Sequence, residues 1–555
     1  MAAIIIPALI GTAISAGLSY LSYVLSPNPD PVTNEGPRLD SLNVTAAQEG
    51  SNVNRLFGRM RLGGQIIWAT QFREVVNTTT EKVKTGGKGG SKSQTVTTTT
   101  YLYYISFAVA FCEGNGKADI SRVWADGTEI DLSKYTFRFY PGSQTQGPDP
   151  KIQAVEGSAN TPNYRGIAYV VFDELPLADF GNRIPQITAE IVVPLDTPDP
   201  DDIQNSMHGV TLIPASGETI YGTQQYNVVT VEGASFWTLQ TVTKPDNVHN
   251  SMRIPDAVRS LGNLVRVCDE LDAIELVVSW FATDLRAGEC RIIPKMEDPN
   301  RNLTPNQWQV AGYTRATAER VSLDPQGRPY FGGTPDDTTV VEMIQYIRDV
   351  LGKRVILYPF IMCDIPPGNT LPNPYSDNAA TAGQPTFPWR GRITQSPAAG
   401  YTGTVDKTAT AATQINNFFT RTQGYRAMIL HYANLCASAG GVDGFIIGSE
   451  LIGLTTSRSA AGTYPAVSQL MTLADDVKAI VGSGTKVGYA ADWSEQVHET
   501  DDGYWFHLDP LWSKSSIDFV GIDNYLPLSD WRDGGGHLDY DGENGPTSEF
   551  DLDYL

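Results

Sequence analysis

From Ser41 to Pro194 the chain alternates apolar and polar positions in short runs divided by turn residues. These are RLGGQIIWATQF, TYLYYISFAVAF, ISRVWADGTEIDL, TFRFYPG, AYVVFDEL and ITAEIVVPL. A period of two places every second side chain on one face of a strand, so the runs predict a β-rich domain. Between the first two lies REVVNTTTEKVKTGGKGGSKSQTVTTTTY. Its Thr-rich flanks predict a long hairpin over 75–101 around a Gly-rich tip. The lysines Lys82, Lys84, Lys88 and Lys92 in this insert suit a solvated tip or contact with an acidic partner. The acidic, Pro-rich stretch LDTPDPDDIQN, residues 195–205, has the composition of a linker, and a small β-like module follows to about Asn250.

From Ser251 the period changes. Helical patterns in IPDAVRSLGNLVRVCDEL, VVEMIQYIRDVLG, QINNFFTRTQGYRAMILHYANLCASAG and AVSQLMTLADDVKAIVG are each followed by a short apolar run. Those runs are IELVVSWFA, RVILYPFIMCDI, GFIIGSELIG and KVGYAADWSE, and SIDFVGIDNYLPL closes the series. Strands apolar on both faces and alternating with helices predict a parallel sheet, either a (β/α) barrel or a doubly wound open sheet. A barrel gives the acids at the strand ends a reason to gather, because those ends form its mouth. The expected fold class is multidomain: an apolar helical segment over 1–30, a β-rich domain over 31–200, a linker and small β module over 201–250, and an α/β domain over 251–555.

Composition narrows the function classes. The 555 residues exceed a single core, and 52 glycines with 35 prolines imply many turns. A net charge of -22 argues against general binding to the nucleic-acid backbone, which needs Lys and Arg to displace counterions. The five cysteines lack CxxC spacing and read as reduced, mostly buried thiols, and the six histidines form no HExxH cluster. Neither a metal nor another cofactor is expected. The run AAIIIPALIGTAISAGLSYLSYVL carries no charge and is long enough to cross a bilayer as a helix. It lacks the basic start of a secretory signal, and its small residues suit a helix buried against copies of itself; membrane contact by residues 2–25 is the other reading.

Asp284, Asp364, Glu450, Asp492, Trp493, Glu495, Asp523 and Tyr525 fall at predicted strand ends. Two carboxylates across a scissile bond are the apparatus of glycoside hydrolysis, one donating a proton while the other attacks the sugar or activates water. Glu450 is the leading acid/base candidate; Asp492, Glu495 and Asp523 are candidates for its partner, and each also suits a helix cap or an ion pair. Trp280, Trp389, Trp493, Trp505, Trp512, Tyr525 and Trp531 lie on or near mouth loops and could stack on sugar rings or pack those loops. The long loop DIPPGNTLPNPYSDNAATAGQPTFPWRGRIT exceeds ordinary connections.

The blocks FGGTPDD, YPFIMCDIPPGN, LPNPY, QPTFPWRGRIT, HYANLC, AGGVDGFIIGSELIGLT, YAADWSE, FHLDPLW and IDFVGIDNYLPLSDWRDG resemble the TIM-barrel-like domain of the large baseplate protein, the megatron, of gene transfer agents and related long-tailed phages. The upstream blocks GRMRLGGQIIWATQF, GGKGGSK, FCEGNGKADISRVWADG and QAVEGSANTPNYRGIAYVVFDELPLADFGNRIPQ resemble that protein's hub portion. The resemblance implies a virion tail-tip hub, homotrimeric, in contact with the distal tail and hub proteins and with host envelope glycans. It places the hairpin near the tube axis and the apolar start in a central or penetrating part. It also implies a glycosidase-like barrel in which Glu450 matches the acid/base after strand four. Ser449 stands where related hydrolases carry Asn, and no block before FDLDYL resembles the strand bearing their second Glu. Five strands, with a short sixth at WRGRIT, would leave an eight-stranded barrel unclosed. The alternative function is a cell-envelope glycoside hydrolase using Glu450; a membrane-anchored extracellular enzyme rests on the apolar run alone.

Overall fold

The computed structural model describes residues 32–35, 52–85, 92–214, 217–233, 240–378, 383–501, 503–532, 546, 548–551 and 554. The expected apolar helix over 1–30 lies outside them, as does the hairpin tip at 86–91. Among the described residues no helix is long and apolar enough to cross a membrane. The chain forms two compact units, Met1–Leu195 and Asp196–Leu555.

The first unit is β-rich. Its spine is the strand Lys92–Glu113, paired antiparallel with Arg73–Thr85 over the Thr-rich stretch, with Gln65–Ala69 further on, and with Ile167–Pro176. The hairpin register sets Thr78 opposite Thr99 and Thr80 opposite Thr97. Such cross-strand pairs of β-branched side chains stabilise a ladder that has little core of its own. A second sheet orders Gly58–Gly63, Ile187–Val193, Asp119–Ala125 and Thr128–Glu129. Along Ile187–Val193 every other residue is buried, as the sequence alternation requires.

The second unit is a half-barrel. Its strands, numbered within this unit, are β1 (Gly209–Leu212), β2 (Ala273–Ala282), β3 (Arg354–Cys363), β4 (Gly444–Ser449), β5 (Lys486–Asp492) and β6 (Phe519–Asp523). They pair in that order, all parallel. Strand β1 falls in the stretch read from sequence as a small β module. Among the described residues it is a four-residue edge strand with one neighbour, too short to show a period. The expected short strand at WRGRIT is instead a 3-10 turn, Arg390–Arg392, which carries Arg390 inward.

Helices α1 (Asp256–Val267), α2 (Asp337–Gln345), α3 (Ala409–Thr420), α4 (Tyr425–Ser438) and α5 (Pro465–Val481) accompany the sheet. On α5 the buried residues Leu470, Leu473, Ala474 and Val477 repeat at helical spacing and join the main core. The single helical run read over 414–440 is two helices, α3 and α4, joined by a turn. A Cβ on Gly424 would come within 2.8 Å of the Phe418 and Arg421 carbonyl oxygens, so the chain folds back tightly there.

The inner face of the sheet is filled at its base by Val277, Tyr358, Ile446 and Ala490, with Phe519 against them. Gly488 on β5 lies under the Phe519 ring, which any Cβ at 488 would strike. Gly488→Ala is therefore expected to cost about 1–3 kcal/mol. A urea midpoint for the second unit equal to that of the parent protein would show that the ring has room to move.

Candidate functional site

Alternation along the strands decides which side chains meet inside the half-barrel. Glu275, Val277, Ser279 and Phe281 on β2, and Tyr358, Phe360 and Met362 on β3, all face one cleft of about 480 Å3. Glu450 and Asp523 reach it from the ends of β4 and β6, and Arg390 from the 3-10 turn. Tyr330, Phe331 and Tyr525 form part of the wall.

Glu450 follows the fully buried strand β4 and takes a left-handed backbone conformation with φ of 51°. Its N–H still donates to the Ala490 carbonyl at 2.9 Å, so the chain turns without leaving the sheet. A non-glycine residue held in this region costs about 1–3 kcal/mol, which the surrounding contacts must sustain. Those contacts converge on the carboxylate: Arg390 Nη2 lies 3.0 Å from Glu450 Oε2, and the Trp389 indole N–H donates to the same oxygen.

Asp523 sits beside it. Arg390 Nη2 is 3.8 Å from Asp523 Oδ2, so one guanidinium nitrogen spans both acids. The same Oδ2 accepts from Ser449 Oγ at 2.6 Å and from the Tyr358 hydroxyl at 3.2 Å. Ser449 Oγ in turn accepts from Arg390 Nη2 at 2.7 Å and from Tyr358. Ser449 thus serves as a relay between the cation and Asp523. Burial raises the Glu450 carboxyl above its ordinary value, against the opposing pull of Arg390 and the Trp389 N–H, and the Asp523 charge pushes it further up. Glu275 is raised for the same first reason, burial, with Asp523 adding to it and the hydrogen bond from Thr211 opposing.

The other sequence-named acids are held elsewhere. Asp492 is register partner to Asp523, but its Oδ1 accepts from the Ser494 N–H at 2.9 Å and from the Ser494 hydroxyl, closing the turn after β5. Glu495 is fully buried and accepts from Thr455 Oγ1 at 2.6 Å, Tyr489 at 2.7 Å and the Asp492 N–H at 3.0 Å. Burial pushes it up to about 7. Asp284 pairs with Arg286 at 2.7 Å, and Asp364 with Lys295 at 2.8 Å. None of these four lines the cleft.

Of the aromatic candidates, Tyr525 lines the cleft and is 71% exposed, and Trp389 touches Glu450 while lining a smaller apolar recess with Phe331, Phe360 and Phe387. Trp280 is buried and donates to the Tyr432 hydroxyl at 3.0 Å. Trp505 and Trp512 pack on the main core, and Trp531 meets Tyr554 with ring centroids 6.3 Å apart. The Trp493 backbone N–H donates to the Asp523 carbonyl at 3.2 Å, and its side chain is partly exposed outside the cleft lining. Sequence reasoning did not single out Arg390, Tyr358 or Glu275. The spacing of Tyr358, Phe360 and Met362 carried a signal for one face; Arg390 carried none beyond lying in an overlong loop.

Residues 423–555 match the family described as the GTA TIM-barrel-like domain, which includes Glu450 and Asp523. A solved structure titled "Virion of native gene transfer agent (GTA) particle" contains a chain 42% identical to this one. The alignment covers 33% of this chain and 36% of that chain, with a TM-score of 0.24. The chain thus spans about a third of the length of the solved chain it matches. A comparison with curated proteins gave no match.

Proposed function

We propose that the chain is a structural component of a virion of the gene transfer agent or phage type, positioned at the tail tip, and that its half-barrel cleft engages host envelope glycan. The domain match over 423–555, with the ordered blocks upstream of it, supports the virion location. The hub position, three copies about an axis, closure of the tube and contact with neighbouring tail proteins extend that reading.

One observation carries the glycan assignment. Glu450 and Asp523 converge under Arg390 in a concave, aromatic-walled cleft at the carboxyl ends of parallel strands, where this architecture places ligands. A second reading, glycoside hydrolysis, is favoured by the raised Glu450 carboxyl: burial shifts it toward the protonated form, which can donate to a glycosidic oxygen while Asp523 attacks or activates water. Arg390 works against that role by favouring the ionised form.

Particles carrying Glu450→Gln separate these readings. Normal assembly with loss of reducing-sugar release from purified envelope supports hydrolysis. Normal assembly with retained binding, and no sugar release by either particle, supports recognition alone. Failure of the parent particle to bind envelope glycan at all removes both.

A further inference from the structure

We propose that the cleft selects a saccharide bearing an unsubstituted amino group, whose ammonium sits against Glu275 and Asp523. This rests on the glycan reading of the same cleft and names its ligand class. Among the described lining residues the charged side chains are three acids, Glu275, Glu450 and Asp523, and one base, Arg390.

Arg390 is fixed in place by its own partners rather than free to swing toward an incoming anion. It is 6% exposed, its Nε donates to the Ser449 carbonyl at 3.0 Å, and its Nη2 serves Ser449, Tyr358 and Glu450. Its guanidinium carbon stands 3.7 Å from the centroid of the Phe360 ring. Turning it toward a ligand carboxylate or phosphate would strip the buried Glu450 of its counter-charge, a loss that exceeds what a new exposed pair returns. Glu275 is differently placed. Thr211 Oγ1 donates to its Oε2 at 2.7 Å, and among the described residues no basic side chain pairs with it. A carboxylate with no counter-ion in a low-dielectric recess attracts a cation more strongly than one in open water. The net charge of -22 adds a field of the same sign. Tyr330, Phe331 and Tyr525 line the cleft with aromatic rings, which suit both the C–H side of a pyranose and a cation. The cleft therefore disfavours acidic sugars, tolerates neutral ones and favours amino sugars.

The test titrates the full chain at pH 6 and low salt with three tetrasaccharides, of glucosamine, N-acetylglucosamine and galacturonic acid, followed by calorimetry. The glucosamine tetramer is expected to bind at least about tenfold more tightly than its N-acetylated counterpart, equivalent to about 1.4 kcal/mol, and the galacturonic tetramer most weakly. Glu275→Gln should remove the preference and Glu275→Asp, which keeps the charge, should restore most of it. Equal affinity for the first two sugars overturns the amine proposal and leaves the glycan reading standing. A preference that survives in Glu275→Gln shows that Glu275 does not hold the ammonium and also overturns it. Binding of none of the three removes the glycan reading together with this one.

Discussion

Replacing Arg390 with methionine is expected to destabilise the second unit by about 3–5 kcal/mol at neutral pH, the range seen when one partner of a buried ion pair is removed. Methionine keeps much of the volume over Phe360, so the effect isolates charge from packing. Without the guanidinium, Glu450 and Asp523 face each other across a buried site, and Ser449 Oγ keeps the Tyr358 hydroxyl but loses its cationic donor. The pH dependence follows from the sign of the Glu450 shift. Its folded carboxyl already lies above the ordinary value, so the folded state takes up a proton more readily than the unfolded state, and stability falls as pH rises through that interval. Removing Arg390 removes the largest influence holding the carboxyl down and widens the interval. The loss should therefore be smaller below the ordinary glutamate range, where Glu450 is protonated in both states, and greatest at neutral pH. Urea unfolding followed by tryptophan fluorescence at pH 4 and pH 7.5 measures this. Adding Glu450→Gln to the Arg390 variant should recover part of the neutral-pH loss, because it removes one of the two unpaired charges. A loss of the same size at both pH values, with no recovery in the double variant, would mean that Arg390 acts through packing.

The longer strands of both units were legible because each carries its own evidence: alternation in ITAEIVV, and continuous apolar runs in GFIIGS and in KVGYAA. Glu450 was legible for a related reason, being a charge at the end of a strand with no exposed residue. Its partner was not. Asp492, Glu495 and Asp523 occupy similar sequence settings, and the choice among them depends on side-chain direction beyond the strand ends. Asp492 and Asp523 are opposite each other in register, yet one turns back on Ser494 while the other meets Ser449 and Tyr358. Arg390 lies 60 residues before Glu450 in a loop without a period, so no local rule could bring the two together. Strand β1 was missed because four residues on a sheet edge have too little pattern, and with it went the pairing of Thr211 and Glu275 that shapes one wall of the cleft.

Glu495 should contribute a large pH-dependent term to the stability of the second unit. It is fully buried, and its partners are two hydroxyls and one backbone N–H, none of them cationic. Burial therefore outweighs the three hydrogen bonds and lifts its carboxyl to about 7 from an ordinary value of 4.5. Because the folded value is above the unfolded one, the stabilisation is complete below about pH 4.5 and is lost as pH rises to about 7. At about 1.4 kcal/mol for each unit, the loss across that window is about 3 kcal/mol. Glu495→Gln cannot titrate. Its amide oxygen can accept from Thr455 and Tyr489, but its NH2 then faces the Asp492 N–H, a buried donor against a donor that costs about 1–3 kcal/mol at every pH. The variant should therefore be less stable than the parent near pH 4.5, and the gap should close or reverse by about pH 7.5. The difference between their urea midpoints at four pH values removes the contribution of every other titrating group. Parallel curves would place the Glu495 carboxyl at its ordinary value in the folded protein and would remove the account of it as a buried, proton-holding tie between Thr455, Tyr489 and the turn after β5.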